Sequence, residues 1–310
     1  MKIQYFKPEQ DGFYGAYYPC PDHSDSVFIY MLGPTVDSFL VKIGVKWLHG
    51  LGCSVMSLSP EPEDMGFHDL PIERFGEAVK WLKENGNTHI GIAGGSATAT
   101  LALIAASYYP DITFTFAMSP CDFVMEGYYR DEKDGARERP GNGQSTVTRG
   151  GRPLPYLPYA YRHPEYWEKL REESKAGGNA IAGREMFRKS EELHPLTEEE
   201  LIKVENINGT LILAGAEDDC LWDTCKYLRR MRDRINKSKG NSRLLVYTYE
   251  HGTHFLFPQT MLNRALSILS YFVPMVFREG RKHPGECRKS RIDMENKVKK
   301  EIEKWKNEKR

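Results

Sequence analysis

At 310 residues, with 43 lysines and arginines set against 43 aspartates and glutamates, the chain is long enough for one large or two ordinary domains and carries no net charge. That balance excludes the broad basic field with which proteins hold nucleic acid or anionic membrane, so a small or neutral substrate is expected. An α/β fold with one continuous sheet often uses such a length as a single unit, so one domain is expected over 1–280, with a charged helical tail over 281–310.

The cysteines (Cys20, Cys53, Cys121, Cys220, Cys225, Cys287) are scattered. Only Cys220 and Cys225 lie close together, at a spacing unlike zinc knuckles, and all six read as reduced, buried or incidental thiols. Met1 to Cys20 has no continuous apolar stretch after its lysines, so no secretory signal is expected. The longest apolar stretch, Leu266 to Phe277, contains Pro274 and is too short to span a bilayer. A soluble cytoplasmic protein with no metal and no cofactor is the expectation.

In chain order, Ser26 to Leu32 is rich in β-branched and aromatic residues and stops at Gly33-Pro34, as a buried strand does. Val36 to Leu51 has mostly helical apolar spacing, and Cys53 to Leu58 is the next strand. Pro71 opens a helix through Leu82, with Glu73 where the helix dipole favours a carboxylate. Strand Thr88 to Ala93, the small-residue turn Gly94-Gly95-Ser96-Ala97-Thr98 and helix Ala99 to Ala106 follow. After strand Ile112 to Met118 the alternation breaks until Asn208, far beyond an ordinary loop. Within this insertion, Asp131 to Gly151 reads as a mobile, Gly-rich charged stretch, Pro153 to Tyr161 as a proline/aromatic segment, and Glu165 to Leu193 as holding at least one helix. The alternation resumes with strand Thr210 to Ala214, helix Thr224 to Ile235, strand Arg243 to Tyr249 and helix Gln259 to Phe272. Beyond Arg281, Ile292, Val298, Ile302 and Trp305 are isolated among charges, the pattern of a solvated helix serving as a surface flap or a contact in a homo-oligomer. Alternating strands and helices imply a mostly parallel sheet covered on both faces, with its ligand site at the carboxyl ends of the strands.

Candidate chemistry falls at such ends. A serine on a strand-to-helix turn is a nucleophile elbow, which strains the backbone and needs small neighbours. A serine hydroxyl is a poor nucleophile at neutral pH, so it needs an imidazole to take its proton and a carboxylate to fix the tautomer. Glu217-Asp218-Asp219 follows strand Thr210 to Ala214, and His251-Gly252-Thr253-His254 follows strand Arg243 to Tyr249. The order serine, acid, histidine is that of α/β-hydrolases. Ordinary helix capping by the Asp pair is the competing explanation, and His251 competes with His254. The other histidines (His23, His49, His68, His89, His163, His194, His283) default to solvated roles. The backbone N–H of Ala97, at the helix start, faces the developing oxyanion. A second donor belongs on the loop after Ser26 to Leu32. Pro34 has no N–H to give, which leaves Thr35 or Gly33.

From about Ser26 to Phe272 the chain resembles the carboxyl-terminal catalytic domain shared by acyl-CoA thioester hydrolases and bile acid-CoA:amino acid N-acyltransferases, within the α/β-hydrolase superfamily. The resemblance is carried by Leu70-Pro71-Ile72-Glu73-Arg74-Phe75, Glu77-Ala78-Val79-Lys80-Trp81-Leu82, the elbow, Val124-Met125-Glu126-Gly127 and the run Arg152-Pro153-Leu154-Pro155-Tyr156-Leu157-Pro158-Tyr159. It continues with Val204-Glu205-Asn206-Ile207-Asn208-Gly209, Asp218-Asp219-Cys220-Leu221-Trp222 and Gly252-Thr253-His254. It implies the α/β-hydrolase fold with a lid from Cys121 to Asn208, Ser96 as nucleophile, His254 as base and Asp219 as acid. Asp218, at the Gly-x-x-Asp distance from Gly215, is the fallback. The family's acyltransferases carry cysteine at the nucleophile position and its thioesterases serine, so Ser96 implies transfer of the acyl group to water. The pattern departs from the family's in having Thr98 where G-x-S-x-G has glycine, in Pro34, and in the lack of a counterpart to the amino-terminal β-sandwich before Ser26. At Thr98 the helix is expected to pack slightly farther from the strand.

The leading expectation is a serine hydrolase of an ester or acyl thioester, with Tyr156 and Tyr159 lining the acyl pocket and Arg152 or Arg149 meeting an anionic group. Two alternatives stay open: a catalytically silent relative that binds an acyl or peptide ligand, and acyl transfer to an amine.

Overall fold

The structure, a computed structural model, describes residues 2–22, 24–31, 35–59, 66–263 and 269–308, with backbone alone for 269–271. Its strands are β1 (Gln4–Phe6), β2 (Gly15–Tyr18), β3 (Ser26–Met31), β4 (Ser54–Leu58), β5 (Leu70–Pro71), β6 (His89–Gly95), β7 (Ile112–Met118), β8 (Glu126–Tyr129), β9 (Arg139–Ser145), β10 (Val147–Arg149), β11 (Arg152–Pro153), β12 (Thr210–Ala216) and β13 (Arg243–Tyr249). Its helices are α1 (Pro8–Asp11), α2 (Phe39–His49), α3 (Glu73–Glu84), α4 (Ala97–Tyr108), α5 (Glu165–Gly177), α6 (Arg184–Leu193), α7 (Thr224–Ser238), α8 (Gln259–Asn263), α9 (Leu269–Met275), α10 (Arg278–Lys282) and α11 (Pro284–Lys306).

Eight strands form the main sheet in the order β1-β2-β4-β3-β6-β7-β12-β13. Strand β2 runs antiparallel to β1 and β4, and the pairs from β4 across to β13 are parallel. Parallel neighbours need a crossover connection, and the crossovers place helices on both faces. The inner strands therefore bury both faces, in period two. Val27, Ile29 and Met31 of β3 join Ala78, Val79, Leu228 and Met231 in one core, while Phe28 and Tyr30 join Trp47, Leu48, Val298 and Trp305 in the other. Helix α4 is buried at every position from Thr98 to Ala106, which explains its small, all-round apolar sequence. This is the α/β-hydrolase fold, a mostly parallel sheet between helical layers with an insertion after β7.

Several expectations need correction. Helix α3 starts at Glu73, and Pro71 instead belongs to β5, paired with Thr148 of β10. The amino-terminal residues add β1 and β2, whose alternation is too short to stand out. The helix expected over Gln259 to Phe272 is present as α8 and α9, with 264–268 outside the described residues.

The stretch Asp131 to Gly151 is not a mobile loop. Its strand β9 pairs with β8, and β10 pairs with β5 and β11. A buried carboxylate explains this order: Glu126 accepts the N–H groups of Gly143 at 3.2 Å and Tyr159 at 2.7 Å and is paired with Arg162. The insertion is fastened to α7 by Arg230, which bonds Asp122 at 2.6 and 2.5 Å and Glu191 at 2.7 Å.

Helix α11 is not a solvated flap. Its Met294, Val298, Ile302 and Trp305 are fully buried on the sheet, and the Trp305 ring lies 5.3 Å from both Phe28 and Phe114. Its indole N–H donates to Thr113 Oγ1 at 3.1 Å, and His89, expected to be solvated, is buried against the same ring at 5.6 Å. Buried Glu295 accepts from the Trp47 indole at 2.9 Å and the Thr260 N–H at 2.8 Å, tying α11 to α2 and α8. The apolar positions are few but large, which hid the packed face among lysines.

All six cysteines are free. Among the described residues, no helix is long and apolar enough to cross a membrane.

Trp305→Ala should cost about 3–5 kcal/mol of unfolding free energy, read by urea denaturation. A surface flap would lose almost nothing.

Candidate functional site

The site begins where β6 turns into α4. Ser96 has φ 62° and ψ −133°, a conformation that side chains other than glycine avoid. Its N–H donates to Met118 O of β7 at 2.8 Å, which fixes the turn against the neighbouring strand. A Cβ on Gly94 would lie 2.3 Å from Thr98 O, so only glycine allows helix and strand to meet so closely. Thr98 does not hold the helix off. Its hydroxyl folds back onto Gly95, donating to the carbonyl at 2.8 Å and accepting from the N–H at 3.0 Å. The half-buried Ala97 is the first residue of α4, where backbone N–H groups have no partner within the helix.

The loop after β13 brings His254 to this turn. His254 Nε2 is 2.7 Å from Ser96 Oγ, and Nδ1 is 2.9 and 3.0 Å from the two oxygens of Asp219. A ring protonated on Nδ1 therefore donates to Asp219 and accepts from the serine hydroxyl. The His254 and Asp219 side chains are shielded from solvent, while Ser96 is half-buried. Asp219 also accepts from Leu221 N at 2.9 Å and from Thr224 Oγ1 at 2.5 Å.

Asp218 and Trp222 serve the same imidazole from behind. Asp218 Oδ1 accepts the N–H groups of Thr253 at 2.7 Å and Gly252 at 3.1 Å, holding Thr253 at a positive φ of 58° beside His254. Burial pushes the Asp218 carboxyl above the usual carboxylate range, against the lowering effect of those N–H groups. The Trp222 ring meets the His254 ring edge to face at 4.9 Å, and its indole N–H donates to Ser119 O at 3.1 Å. Ser119, buried at the end of β7, returns its hydroxyl to His254 O at 3.0 Å. The Asp-Asp-x-x-Trp run thus has one residue for the loop backbone, one for Nδ1 and one for the ring face. Nothing in the sequence marks Ser119 for this part: it merely follows the expected strand Ile112 to Met118.

His251 stands apart from this row, 3.4 Å from Asp218 Oδ2 and stacked on His283 at 3.8 Å. Thr35 is half-buried between β3 and α2, its hydroxyl bonded to Asp37 at 3.1 Å, while Gly33 and Pro34 lie outside the described residues.

The expected pocket residues are elsewhere. Tyr159 is buried in the insertion, against Tyr166 at 5.1 Å and Phe187 at 5.8 Å, and ring contacts continue from Phe187 through Trp222 to His254. Tyr156 is half-buried, with no described hydrogen bond or ring contact to the Ser96 row. Arg152 is exposed on β11, paired with Arg149 of β10. Arg149 lies over Tyr108, at the end of α4 far from Ser96, about 16 Å along the helix axis. The Pro/Tyr run packs within the insertion, Leu157 bridging Met125 and Tyr159 meeting α5 and α6. A groove of about 650 Å³ between α5, α6 and α10 reaches Asp218, Asp219 and Cys220 but is lined by neither Ser96 nor His254. Among the described residues, no cluster of histidine, cysteine, aspartate or glutamate could hold a metal ion.

Solved structures are similar to the chain at low identity. A candidate dipeptidyl aminopeptidase IV of Bacteroides ovatus is 12% identical with a TM-score of 0.51, over 98% of this chain and 35% of that one, so this chain spans about a third of its length. An esterase of Pyrococcus furiosus is 15% identical with a TM-score of 0.48, over 97% and 95% of the two chains. The protein Est1E of Butyrivibrio proteoclasticus is 12% identical with a TM-score of 0.44, over 89% and 99%. No curated protein sequence matches the chain. A family model does: the description "BAAT / Acyl-CoA thioester hydrolase C terminal" fits residues 70–262, more than half of the chain and the segment from β5 to α8 that carries Ser96, Asp219 and His254. The chain therefore belongs to the BAAT / acyl-CoA thioester hydrolase C-terminal family.

Proposed function

We propose that this protein is a serine hydrolase that cleaves a carboxylic ester or acyl thioester through an acyl-enzyme on Ser96. The observation that carries the reading is the unbroken row from Ser96 Oγ through His254 to Asp219, with contacts of 2.7 and 2.9 Å. Ser96 Oγ attacks the carbonyl carbon as its proton passes to His254 Nε2, and buried Asp219 stabilises the imidazolium. Oxyanion charge develops beside the start of α4, where the Ala97 N–H is the first donor and Thr35 on the facing loop the second. His254 then protonates the departing alkoxide or thiolate. Water, deprotonated by the same nitrogen, releases the acid. Residues 121–208 act as the lid. Serine in place of cysteine at residue 96 favours water as the acceptor.

Ser96→Ala should abolish labelling by a fluorophosphonate and lower kcat on an activated ester by at least about 10³-fold, with the fold intact by circular dichroism. Retained turnover or retained labelling would overturn the proposal.

A second expectation follows from Asp218. Its folded pKa lies above its unfolded value, so its contribution to stability is fully present at low pH and is lost as pH rises through the folded value. Asp218→Asn keeps an acceptor for the Gly252 and Thr253 N–H groups and removes the titration. Relative to the native protein, the variant should gain unfolding free energy as pH rises from about 4, the ordinary carboxyl value, followed by urea denaturation at successive pH values above it. Parallel pH profiles for the two proteins would refute this.

A further inference from the structure

The segment that follows His254 carries two phenylalanines whose surface no described element covers completely. Leu256, between them, is buried, while Phe255 and Phe257 are half-buried. The leucine enters the core, and the two rings, Phe257 packed along the edge of that core, keep part of their surface open. The rings stack on each other at 5.6 Å with 26° between their planes. Phe255 lies 5.7 Å from the His254 ring and is backed, at 5.0 Å, by fully buried Phe277. At the other end, Phe257 reaches the elbow. A Cβ on Gly95, the residue before Ser96, would come within 2.9 Å of Phe257 Cε1, so the missing side chain of Gly95 makes room for this ring.

Two stacked rings, each with part of its surface open, thus run from the imidazole to the residue beside the reactive hydroxyl. Rings already held by each other and by Phe277 have little side-chain freedom to lose on meeting a ligand, so an apolar group laid on them gains contact at small entropic cost. The surface offers no charge, and neither ring donates a hydrogen bond. We infer that Phe255 and Phe257 form the specificity-determining wall of the site and select substrates with an extended apolar acyl group over those with a short or charged one. This rests on the reading of Ser96 as nucleophile, and it replaces Tyr156, Tyr159 and Arg152 as the selecting residues. The role is confined to binding, because neither ring lies in the proton path from Ser96 Oγ to Asp219.

The test compares p-nitrophenyl acetate with p-nitrophenyl octanoate, and a methyl with an octyl fluorophosphonate as inactivator, on the native protein and on Phe257→Ala and Phe255→Ala. The native protein should favour the octanoate and the octyl inactivator. Phe257→Ala should lose about tenfold or more in kcat/KM on octanoate, mainly through KM, while kcat/KM on acetate changes less than about threefold. Phe255→Ala should shift the ratio in the same direction, and Phe257→Leu, which restores apolar surface, should recover part of the octanoate preference. Equal losses on both esters, or a chain-length profile that neither alanine variant alters, would overturn the inference while leaving Ser96 chemistry standing. Absence of any Ser96-dependent turnover or labelling in the native protein would instead strike the underlying function.

Discussion

A carboxylate sealed from water must find its hydrogen-bond donors within the protein, and the geometry around Ser96 depends on how Asp219 meets that demand. Its two oxygens take the His254 imidazole, the Leu221 N–H and the Thr224 hydroxyl. Each donor comes from a different place: the loop after β13, the turn after β12 and the start of α7. Satisfying one buried charge therefore fixes three chain segments relative to one another. Asp218, the preceding residue, does the same for the backbone on either side of Thr253. The serine needs no comparable network, since the strain of its turn is held by β7 through Met118 and by the Thr98 hydroxyl through Gly95.

The parallel core was legible because its inner strands are buried on both faces and read as continuous apolar runs, and its half-buried edge strand is rich in apolar and aromatic residues. Ile112–Met118 and Arg243–Tyr249 have the bounds that composition suggests. The order of serine, acid and histidine along the chain was legible for a related reason, because each follows the end of a strand, and strand ends gather along one edge of a parallel sheet. Thr98 illustrates a departure that local chemistry absorbs. A hydroxyl can return both of its bonds to the backbone that a glycine would have left free.

What escaped the sequence depends on contacts between segments distant along the chain. Whether Asp131 to Gly151 is ordered turns on Gly143, within the stretch, meeting Glu126, a carboxylate held from outside it by Tyr159 and Arg162. The direction in which the Pro/Tyr run faces turns on Tyr166 and Phe187, residues of α5 and α6. Phe255 and Phe257 carry no motif. Their position follows only from the bond that draws His254 to Asp219 and from the space that Gly95 leaves.

The placement of α11 has a consequence for how the molecule is made. Phe28 and Phe114 lie on a sheet face that Trp305 covers, yet they are synthesised long before it. On the ribosome, β3, β6 and β7 can emerge and pair before α11 is made, and the part of this face that α2 leaves uncovered stays open to other chains until α11 docks. The chain is thus most prone to stick to its copies before that helix docks. The dense charge on the outer side of α11 keeps the closing segment itself soluble until it docks.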